Sequence, residues 1–351
     1  MRVLHAASFY GRTAGGFVPL IGALARRLAE RGDEIALIAP RVEGATWHAA
    51  AHGAGIELHL VDGARDAMRI AAAWKPDLAH LHFFGWEGRL TTSLWRSRAR
   101  IFWHVHSTVT SRPNGRVAMT PRSLAKYRLL GARVERFIAV SSAIGEELVH
   151  QGAPRARVAV VRNAVDSARF RPPSAAERAA ARAALGLGER RAILFFGRAP
   201  LIKGADVLAR ALERLDRPAV ITVATPPEVR AQLARHADLL QLEHVDDVVP
   251  LFWAADALAM PSRAEGFGLV LLEATLTGLP VAASDLPALR EAASGHAAVH
   301  FAPVDDADAL AAGLRAALAT DPGRRAEARA GGDALGAWAD AVVALYDSPR
   351  R

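Results

Sequence analysis

Short apolar runs alternate with longer amphipathic segments along nearly the whole chain. Residues 17–31, for example, carry Ile21, Leu24 and Leu28 at the spacing of one helical face. Repeated strand–helix units of this kind predict parallel sheets that are covered by helices on both faces. Strands are predicted at residues 3–7, 34–39, 57–61, 78–82, 101–105, 137–140 and 158–161, and again at 192–196, 219–224, 248–251, 257–259 and 281–283.

A break in this alternation at residues 171–188 predicts a domain boundary. Two prolines open the segment, a helix follows, and Gly186 and Gly188 close it. We therefore predict an α/β protein with two Rossmann-like, doubly wound parallel-sheet domains, whose strand carboxyl ends face a central ligand cleft. The predicted parts are an N-terminal domain over 1–172, a C-terminal domain over 173–325, and a helix over 326–351 that crosses back toward the first domain.

The absence of cysteine excludes disulfides and thiolate metal sites. No apolar stretch reaches the roughly 18 residues that a membrane span needs. The first apolar run meets Gly11 and Arg12 too soon for a signal peptide. A cytoplasmic protein is expected, with membrane association as an alternative through the basic first domain.

Charge is distributed unevenly along the chain. The net charge is +8, yet residues 1–172 hold 25 basic and 13 acidic residues. The first domain is therefore expected to attract anions. Residues 111–136 predict contact with an anionic acceptor or an anionic membrane, or else a solvated basic helix. No nucleic-acid motif is present, so nucleic acid is not an expected partner. The basic residues of this stretch are Arg112, Arg116, Arg122, Lys126, Arg128, Arg133 and Arg136.

Two segments of the second half carry the strongest chemical signals. Residues 197–204, GRAPLIKG, follow a predicted strand and supply Arg198 and Lys203, two cations suited to a diphosphate. Lys203 is one of only three lysines in a chain that otherwise uses arginine. Residues 261–280 place Glu265 before a predicted helix N-terminus and Glu273 further along it. A helix N-terminus binds phosphate or sugar oxygens, and a carboxylate binds a ribose diol, although an acid-capped amphipathic helix has the same spacing.

Weaker signals lie in the first half. Gly15 and Gly16 follow the first strand, where close backbone approach to a ligand and a plain turn are both compatible with glycine. His104 and His106 alternate at the end of a strand, and the strand-end position favours His106 as a ligand contact. Paired histidines without a nearby carboxylate do not indicate a metal site, and no metal is expected.

These motifs resemble those of the family 4 retaining glycosyltransferases, which have the GT-B fold. PDLAHLH at 76–82 and the segment 137–166 resemble family motifs, 197–204 resembles its phosphate loop, and 265–273 resembles its paired-glutamate motif. The resemblance covers nearly the whole chain. Thr225-Pro226-Pro227 replaces the usual glycine-rich turn after the strand at 219–224, so the nucleotide base stays undefined between UDP, GDP and others.

The resemblance implies a role for each of these residues. Arg198 and Lys203 would hold the donor diphosphate and stabilise it as it leaves, and Glu265 would contact the transferred sugar. The remaining implied contacts are backbone amides of Gly266, Phe267, Gly268 and Leu269 to the donor, Glu273 to the ribose, Gly16 to the phosphates and His106 to the sugar.

The expected function is transfer of a hexose-type unit from a nucleoside-diphosphate sugar to an acceptor hydroxyl, with retention of anomeric configuration. The acceptor would be a small molecule, a lipid or a glycan. No cofactor or metal is expected, because the cationic side chains take over the charge neutralisation that a metal would supply. A nucleotide-sugar epimerase or hydrolase of the same fold, and a noncatalytic nucleotide-sugar-binding protein, are the alternatives.

Overall fold

The computed structural model describes residues 1–12, 15–83, 85–107, 121–223, 225–243, 245–294, 296, 298–320 and 333–349. These residues form two compact units. Unit 1 contains the described residues within 1–107, 121–165 and 333–349, and unit 2 contains those within 166–320. Within these ranges, no helix is long and apolar enough to cross a membrane.

Unit 1 is built on a parallel sheet. Its strands are β1 (Arg2–Ala7), β2 (Glu34–Pro40), β3 (Glu57–Val61), β4 (Leu78–His82), β5 (Arg100–Val105), β6 (Arg136–Ala139) and β7 (Val158–Val160). They lie in the order β3-β2-β1-β4-β5-β6-β7. The central strands are buried along nearly their whole length because helices cover both faces. The helices are α1 (Phe17–Glu30), α2 (His48–Gly53), α3 (Ala64–Trp74), α4 (Glu87–Ser93), α5 (Pro121–Leu129) and α6 (Ser142–His150).

Unit 2 repeats this architecture with fewer strands. Its strands are β8 (Ala192–Phe196), β9 (Ala219–Val223), β10 (Asp238–Leu242), β11 (Ala257–Met260), β12 (Val281–Ser284) and β13 (Val299–Ala302). They lie in the order β10-β9-β8-β11-β12-β13, and every pair is parallel. The helices are α7 (Ala175–Ala184), α8 (Pro200–Lys203), α9 (Ala205–Leu212), α10 (Pro227–Leu233), α11 (Val249–Ala254), α12 (Leu269–Leu276), α13 (Pro287–Ala292) and α14 (Ala307–Ala319).

The last helix, α15 (Ala334–Asp347), belongs to unit 1 and packs against α1. Trp338 and Tyr346 are buried in the same apolar cluster as Leu24. Arg31 adds a bidentate ion pair with Asp347, with nitrogen–oxygen distances of 2.7 and 2.9 Å. The C-terminal helix therefore completes the core of the N-terminal sheet.

Helix α7 is fastened to the start of β8 by the carboxylate of Asp256. This carboxylate is buried and accepts hydrogen bonds from Arg178 at 2.7 Å, from Arg182 at 3.2 Å and from the backbone N–H of Ala192 at 2.9 Å. Both guanidinium groups also donate to backbone carbonyls. These side chains form a buried charge network in which each group depends on the others.

The predicted strand at 248–251 is wrong, because α11 covers those residues. Pro250 lies in the first turn of α11, where its missing N–H costs nothing. The short apolar run there is compatible with a strand and with a buried helix, because periodicity alone does not distinguish the two over so few residues. Strands β10 and β13 were not predicted; β10 is an edge strand whose residues are only half-buried, which weakens its apolar pattern.

Replacing Asp256 with alanine tests the charge network of α7. Removing a buried carboxylate leaves two guanidinium groups without their counter-charge, so we expect the free energy of unfolding to fall by about 3–5 kcal/mol. Chemical denaturation of the purified chain measures this change. Asp308→Ala is the matched control, because Asp308 pairs with Arg214 at the surface and should have little effect. Equal stability of the two variants would contradict the assigned role.

Candidate active site

The strand order of unit 2 brings two loops together. Its winding reverses between β8 and β11, which are hydrogen-bonded neighbours. In a doubly wound sheet, the loops that follow such a strand pair flank the ligand crevice. Here they are residues 197–204 and 261–268, the two segments with the strongest chemical signals in the sequence.

Gly204 allows these two loops to touch. Its φ angle is 67°, and a Cβ atom at this position would lie 2.0 Å from the carbonyl oxygen of Pro261. Only glycine satisfies both the left-handed backbone and the close contact. Gly204 also separates α8 from α9. The end of α8, with Lys203, is therefore held against the loop that follows β11.

Lys203 and Glu265 form an ion pair across the two loops. The Lys203 Nζ donates to Glu265 Oε1 at 2.7 Å, and the Ser262 hydroxyl donates to the same oxygen at 2.8 Å. The Glu265 side chain is only 10% exposed, whereas that of Lys203 is 30% exposed. The carboxylate is thus fixed and largely desolvated, while the ammonium group stays accessible to a ligand.

Arg198 lies at the carboxyl end of β8 and its side chain is exposed. It makes no hydrogen bond or ion pair with any residue in the described part of the chain. The next residue, Ala199, has a left-handed backbone with φ of 59° and caps the N-terminus of α8. A guanidinium group beside a tight turn is available to bind an anion in the bidentate manner that arginine favours.

Arg263 is a site residue that the sequence did not reveal. Its guanidinium donates two hydrogen bonds to Asp206 at 2.8 and 2.7 Å, one to Asp305 at 2.6 Å, and one to the carbonyl of Leu201. These hydrogen bonds hold the pKa of the Asp206 carboxyl below its usual value. Arg263 therefore clamps the loop of Glu265 to α8 and α9. Its partners are 42 and 57 residues away in sequence, so no local motif could identify them.

The loop that carries Glu265 leads into the N-terminus of α12. Phe267 is buried, and Gly268 has a φ angle of 97°. A Cβ atom on Gly268 would lie 2.4 Å from Leu289 of α13, so glycine is required for close packing as well as for the turn. α12 begins at Leu269, so its first N–H groups emerge where an anion or sugar oxygen can bind.

Glu273 lies one turn into α12 and is 9% exposed. Burial raises the pKa of its carboxyl to about 8, against a small opposing effect of Arg169. The group is therefore mainly protonated at neutral pH. A buried acid with a strongly raised pKa at the edge of a candidate site is typical of a functional position.

Thr225 closes the phosphate-loop side of the site. A Cβ atom on Gly197 would lie 2.5 Å from the Thr225 hydroxyl oxygen, so the loop after β9 packs directly on the start of residues 197–204. Thr225 also hydrogen-bonds Thr222 inside the sheet. Thr225 of the Thr-Pro-Pro turn is thus a direct neighbour of residues 197–204.

The candidate residues of unit 1 follow two of its central strands: Gly16 follows β1, at the switch point between β1 and β4, and His106 follows β5, the neighbour of β4. Gly16 caps α1 with an ordinary right-handed φ of −78°, and Thr13 and Ala14 before it lie outside the described residues. Phe17 packs edge-to-face on His106, with ring centroids 5.8 Å apart. Gly16 and His106 are therefore neighbours through Phe17, and the Nε2 atom of His106 lies 3.0 Å from Nδ1 of His82.

The basic stretch is only partly described. Arg112 and Arg116 lie outside the described residues, and nothing is described of the Arg122 side chain. Lys126 pairs with the buried Glu87. Arg133 donates to the backbone carbonyls of residues 95, 97 and 99, and Arg136 is buried. Much of the described charge therefore supports the fold, and Arg128 remains exposed.

Comparison with known families accounts for both halves of the chain. A profile described as Glycosyltransferase Family 4 matches residues 14–169, and one described as Glycosyl transferases group 1 matches residues 190–320. Together they include every candidate site residue of both units.

Curated relatives are named D-inositol 3-phosphate glycosyltransferase. The relative from Geodermatophilus obscurus is 32% identical over 387 residues, covering 95% of this chain and 84% of the relative. The relative from Nocardia farcinica is 32% identical over 306 residues, covering 78% of this chain. The chain spans 66% of the length of that Nocardia protein.

Solved structures show the same architecture. Anabaena Alr3699/HepE in complex with UDP superposes with a TM-score of 0.74 at 17% identity, covering 99% of this chain and 100% of that one. Sucrose-phosphate synthase from Thermosynechococcus elongatus gives a TM-score of 0.74 at 18% identity, covering 99% and 98%. At this identity the likeness establishes the fold alone. The fold and the matched profiles define a glycosyltransferase of the GT-B class. The chain belongs to glycosyltransferase family 4, which confirms the resemblance drawn from its motifs.

The pKa of Glu273 predicts how stability depends on pH. A carboxyl with a raised native pKa holds its proton in the folded state and loses it on unfolding. The contribution of Glu273 to the free energy of unfolding should therefore fall by about 1.4 kcal/mol per pH unit as the pH rises from the pKa of the unfolded state toward 8. Glu273→Gln should remove that decline and become more stable than wild type above pH 7. Denaturant titrations between pH 6 and 9 measure both slopes, and identical slopes would contradict a buried, protonated Glu273.

Proposed function

We propose that the protein transfers a sugar from a nucleoside-diphosphate sugar to an acceptor hydroxyl, with retention of anomeric configuration. The observation that carries this proposal is the Lys203–Glu265 ion pair, held between two loops at the β8–β11 switch point. A cation for the leaving group and a carboxylate for the sugar are thereby fixed beside each other. Membership of family 4 supports the retaining outcome, because enzymes of this family typically retain configuration.

The cations Arg198 and Lys203 are suited to stabilising the leaving diphosphate. As the glycosidic bond breaks, negative charge develops on the diphosphate, and preorganised cations stabilise it most strongly in that state. Arg198 supplies a guanidinium that has no partner among the described residues, and Lys203 supplies an ammonium already held in place. These two groups do the work that a divalent metal does in other transferases, so we propose that the reaction needs no metal ion.

The transferred sugar would lie against Glu265 and the N-terminus of α12. Glu265 is oriented by Lys203 and Ser262 through one oxygen, Oε1, and we propose that its other oxygen accepts hydrogen bonds from sugar hydroxyls. Backbone amides of residues 266–269 would contribute further hydrogen bonds. From unit 1, we propose that Gly16 approaches the phosphates and that His106 contacts the sugar.

Glu273 would hold the ribose. A diol donates two hydrogen bonds most strongly to an ionised carboxylate. Because Glu273 is mainly protonated in the free protein, nucleotide binding should be accompanied by loss of its proton. We propose that the segment of Thr225, which lies beside Gly197, borders the base.

The acceptor is proposed from charge and from the names of the relatives. The curated relatives are named for D-inositol 3-phosphate, a small phosphorylated polyol. The excess of basic over acidic residues in the first 172 residues suits an anionic acceptor of that class. We therefore propose a small phosphorylated acceptor, with lipid and glycan acceptors as the other members of the test panel.

A peripheral membrane contact is a separate proposal, carried by two exposed apolar side chains on unit 1. Trp95 is 45% exposed and Leu129 is 69% exposed, and both are flanked by exposed arginines. Arg133 connects their segments by donating to the carbonyl of Trp95. Aromatic and aliphatic side chains ringed by cations bind the surface of an anionic bilayer. The flanking arginines are Arg96, Arg98 and Arg128.

Lys203→Ala tests the role of the ammonium in catalysis. Loss of a contact that strengthens in the transition state costs about 3–4 kcal/mol, so turnover should fall roughly 100- to 1,000-fold. A thermal-shift panel of UDP, GDP, ADP and their sugars first selects the donor, because a bound ligand raises stability by mass action. Transfer to inositol 3-phosphate, to a lipid and to a glycan is then measured with that donor.

The control is Lys75→Ala, which removes an exposed lysine of unit 1 and should leave turnover unchanged. Unaltered turnover of Lys203→Ala would defeat the assigned mechanism. Incubation of donor without acceptor distinguishes the rival activities, since an epimer or free sugar formed at the transfer rate would indicate an epimerase or a hydrolase. Binding of donor with no product under any condition would indicate a noncatalytic protein.

Vesicle co-sedimentation tests the membrane contact. The chain should bind phosphatidylglycerol vesicles at low salt and dissociate as salt is raised, because the attraction is screened. Trp95→Ala combined with Leu129→Ala should reduce binding strongly. Val160→Ala removes another exposed apolar side chain of unit 1 and should not change binding. Failure of the wild-type chain to bind even at low salt rules out the contact.

A further inference from the structure

Five histidines line one face of the unit 1 sheet. His5 lies on β1, His80 and His82 on β4, and His104 on β5, with His106 directly after it. Alternate residues of a strand share a face, and the pairing of β1 with β4 and of β4 with β5 brings these faces together. Four of the five are at most 2% exposed, and His106 is partly exposed.

These histidines and Tyr346 of α15 form one hydrogen-bonded chain with five links. Its two ends are His106, which is accessible, and His104, whose Nε2 atom is buried without a hydrogen-bond partner among the described residues. The links are His106 Nε2 to His82 Nδ1 at 3.0 Å, His82 Nε2 to His5 Nδ1 at 2.8 Å, His5 Nε2 to Tyr346 Oη at 3.5 Å, Tyr346 Oη to His80 Nδ1 at 2.5 Å, and His80 Nε2 to His104 Nδ1 at 3.1 Å.

Every imidazole in this chain is neutral at physiological pH. Burial lowers the pKa of His5 and of His106 to about 3, and the other three are also lowered by burial and by neighbouring histidines. Each histidine therefore carries one N–H and one bare nitrogen, and Tyr346 carries one O–H. Six groups contribute six hydrogens to five links.

This count leaves three arrangements in which every link is made, because the Tyr346 oxygen can accept two hydrogen bonds. If His106 donates to His82 and every later group donates in the same direction, the sixth hydrogen ends on the buried Nε2 of His104. If the groups donate from both ends toward Tyr346, the sixth hydrogen is the Tyr346 O–H, which then has no acceptor among the described residues. If His106 accepts from His82, the order reverses, all five histidines carry hydrogen on Nδ1, and the sixth hydrogen lies on His106.

The buried groups select among the three arrangements. The Nε2 atom of His104 has no acceptor to which an N–H could donate, and the buried Tyr346 hydroxyl has no acceptor among the described residues other than His5 and His80. Buried donors without a partner are rarer in proteins than under-satisfied acceptors. The arrangement that leaves the His104 nitrogen bare and lets Tyr346 donate to His5 is therefore favoured, and its sixth hydrogen is at the accessible end of the chain.

We propose that the chain fixes His106 as the Nδ1–H tautomer, so that it meets its ligand as a neutral hydrogen-bond donor. His82, His5, Tyr346 and His80 are positioning residues in this arrangement. The tautomer is a property of the free protein, and only the identity of the ligand rests on the proposed function. As a neutral donor, His106 would donate a hydrogen bond to an acceptor oxygen of the sugar. This hydrogen bond would not change across the physiological pH range.

A metal site is the competing interpretation of these histidines. The nitrogens of His82, His104 and His106, and of His5, His80 and His82, lie within 4.8 Å of one another. However, each group contains two stacked rings from one strand: His80 and His82 have centroids 4.2 Å apart with planes inclined by 23°, and His104 and His106 have centroids 4.3 Å apart with planes inclined by 27°. A nitrogen lone pair lies in the plane of its ring, so stacked rings direct their lone pairs side by side and do not converge on one ion. Neither group includes a carboxylate to offset a buried divalent charge.

Nitrogen-15 NMR of the full chain labelled at histidine tests the tautomer directly. Long-range ¹H–¹⁵N spectra distinguish Nδ1–H from Nε2–H in each ring, and His106→Gln assigns the His106 signals. We expect His106, and the four buried histidines with it, to carry hydrogen on Nδ1. A predominantly Nε2–H His106 would overturn the proposal. The measurement uses the free protein, so failure of the transferase assay leaves this result unaffected.

Two substitutions of His82 separate positioning from folding. Asparagine keeps an N–H donor close to the position of His82 Nδ1, so His82→Asn should retain the Nδ1–H form of His106. Leucine removes the donor, so His82→Leu should release His106 to the Nε2–H form. Binding of the nucleotide sugar should then weaken about tenfold, the value of one hydrogen bond, while binding of the nucleoside diphosphate is unchanged. Unchanged tautomers in His82→Leu would contradict the chain.

Titration with ZnCl₂ completes the test. We expect the histidine signals to stay unchanged during the titration, because the ring nitrogens are already hydrogen-bonded to one another. Loss of the Nδ1–H signals of His82 and His106 at one equivalent of zinc would show that the cluster is a metal site, and would overturn the proposal.

Discussion

The contact between Gly204 and the carbonyl of Pro261 is the constraint on which the site of unit 2 depends. The β8–β11 switch point brings two loops near each other, but the topology alone leaves them separated by side chains. A residue without a Cβ atom allows the backbones to meet. Lys203 then reaches Glu265, and Arg263 reaches Asp206 across the same junction. The ion pair and its clamp are therefore consequences of one backbone approach.

The two units use the same topology for different chemistry. Unit 2 has its candidate loops at the β8–β11 switch point, and the polar residues of unit 1 extend from its β1–β4 switch point to β5. Unit 2 places formal charges there and pairs Lys203 with Glu265 and Arg263 with Asp206. Unit 1 places neutral imidazoles there and satisfies them with one another, and its histidine chain extends into α15 through Tyr346. The C-terminal helix is thus connected to the polar interior of unit 1 as well as to its apolar core.

Most of the fold and the charged site residues could be predicted from the sequence, because local patterns encode them. Alternating apolar runs gave the two sheets, and Lys203 and Glu265 stood out by residue type and position. Contacts between distant segments could not be predicted: nothing near Arg263 indicates Asp206 or Asp305. His80 and His82 lie on a strand that the sequence predicts, and they are buried there. The sequence could not show that each is satisfied by other histidines, because their partners lie on β1, β5 and α15.

The charge state of the free site follows from these contacts. The opposite charges of Lys203 and Glu265 cancel, and Glu273 is mainly protonated. Arg198 therefore contributes the one uncompensated charge among these four groups. A carboxylate that stayed ionised at Glu273 would repel an approaching diphosphate, and burial prevents this until a diol is present to stabilise the anion. Under the proposed function, an approaching diphosphate would therefore meet a positive site. Lys203 would then interact with the diphosphate as well as with Glu265, so that the ion pair that organises the free loops would also supply the charge that the leaving group requires.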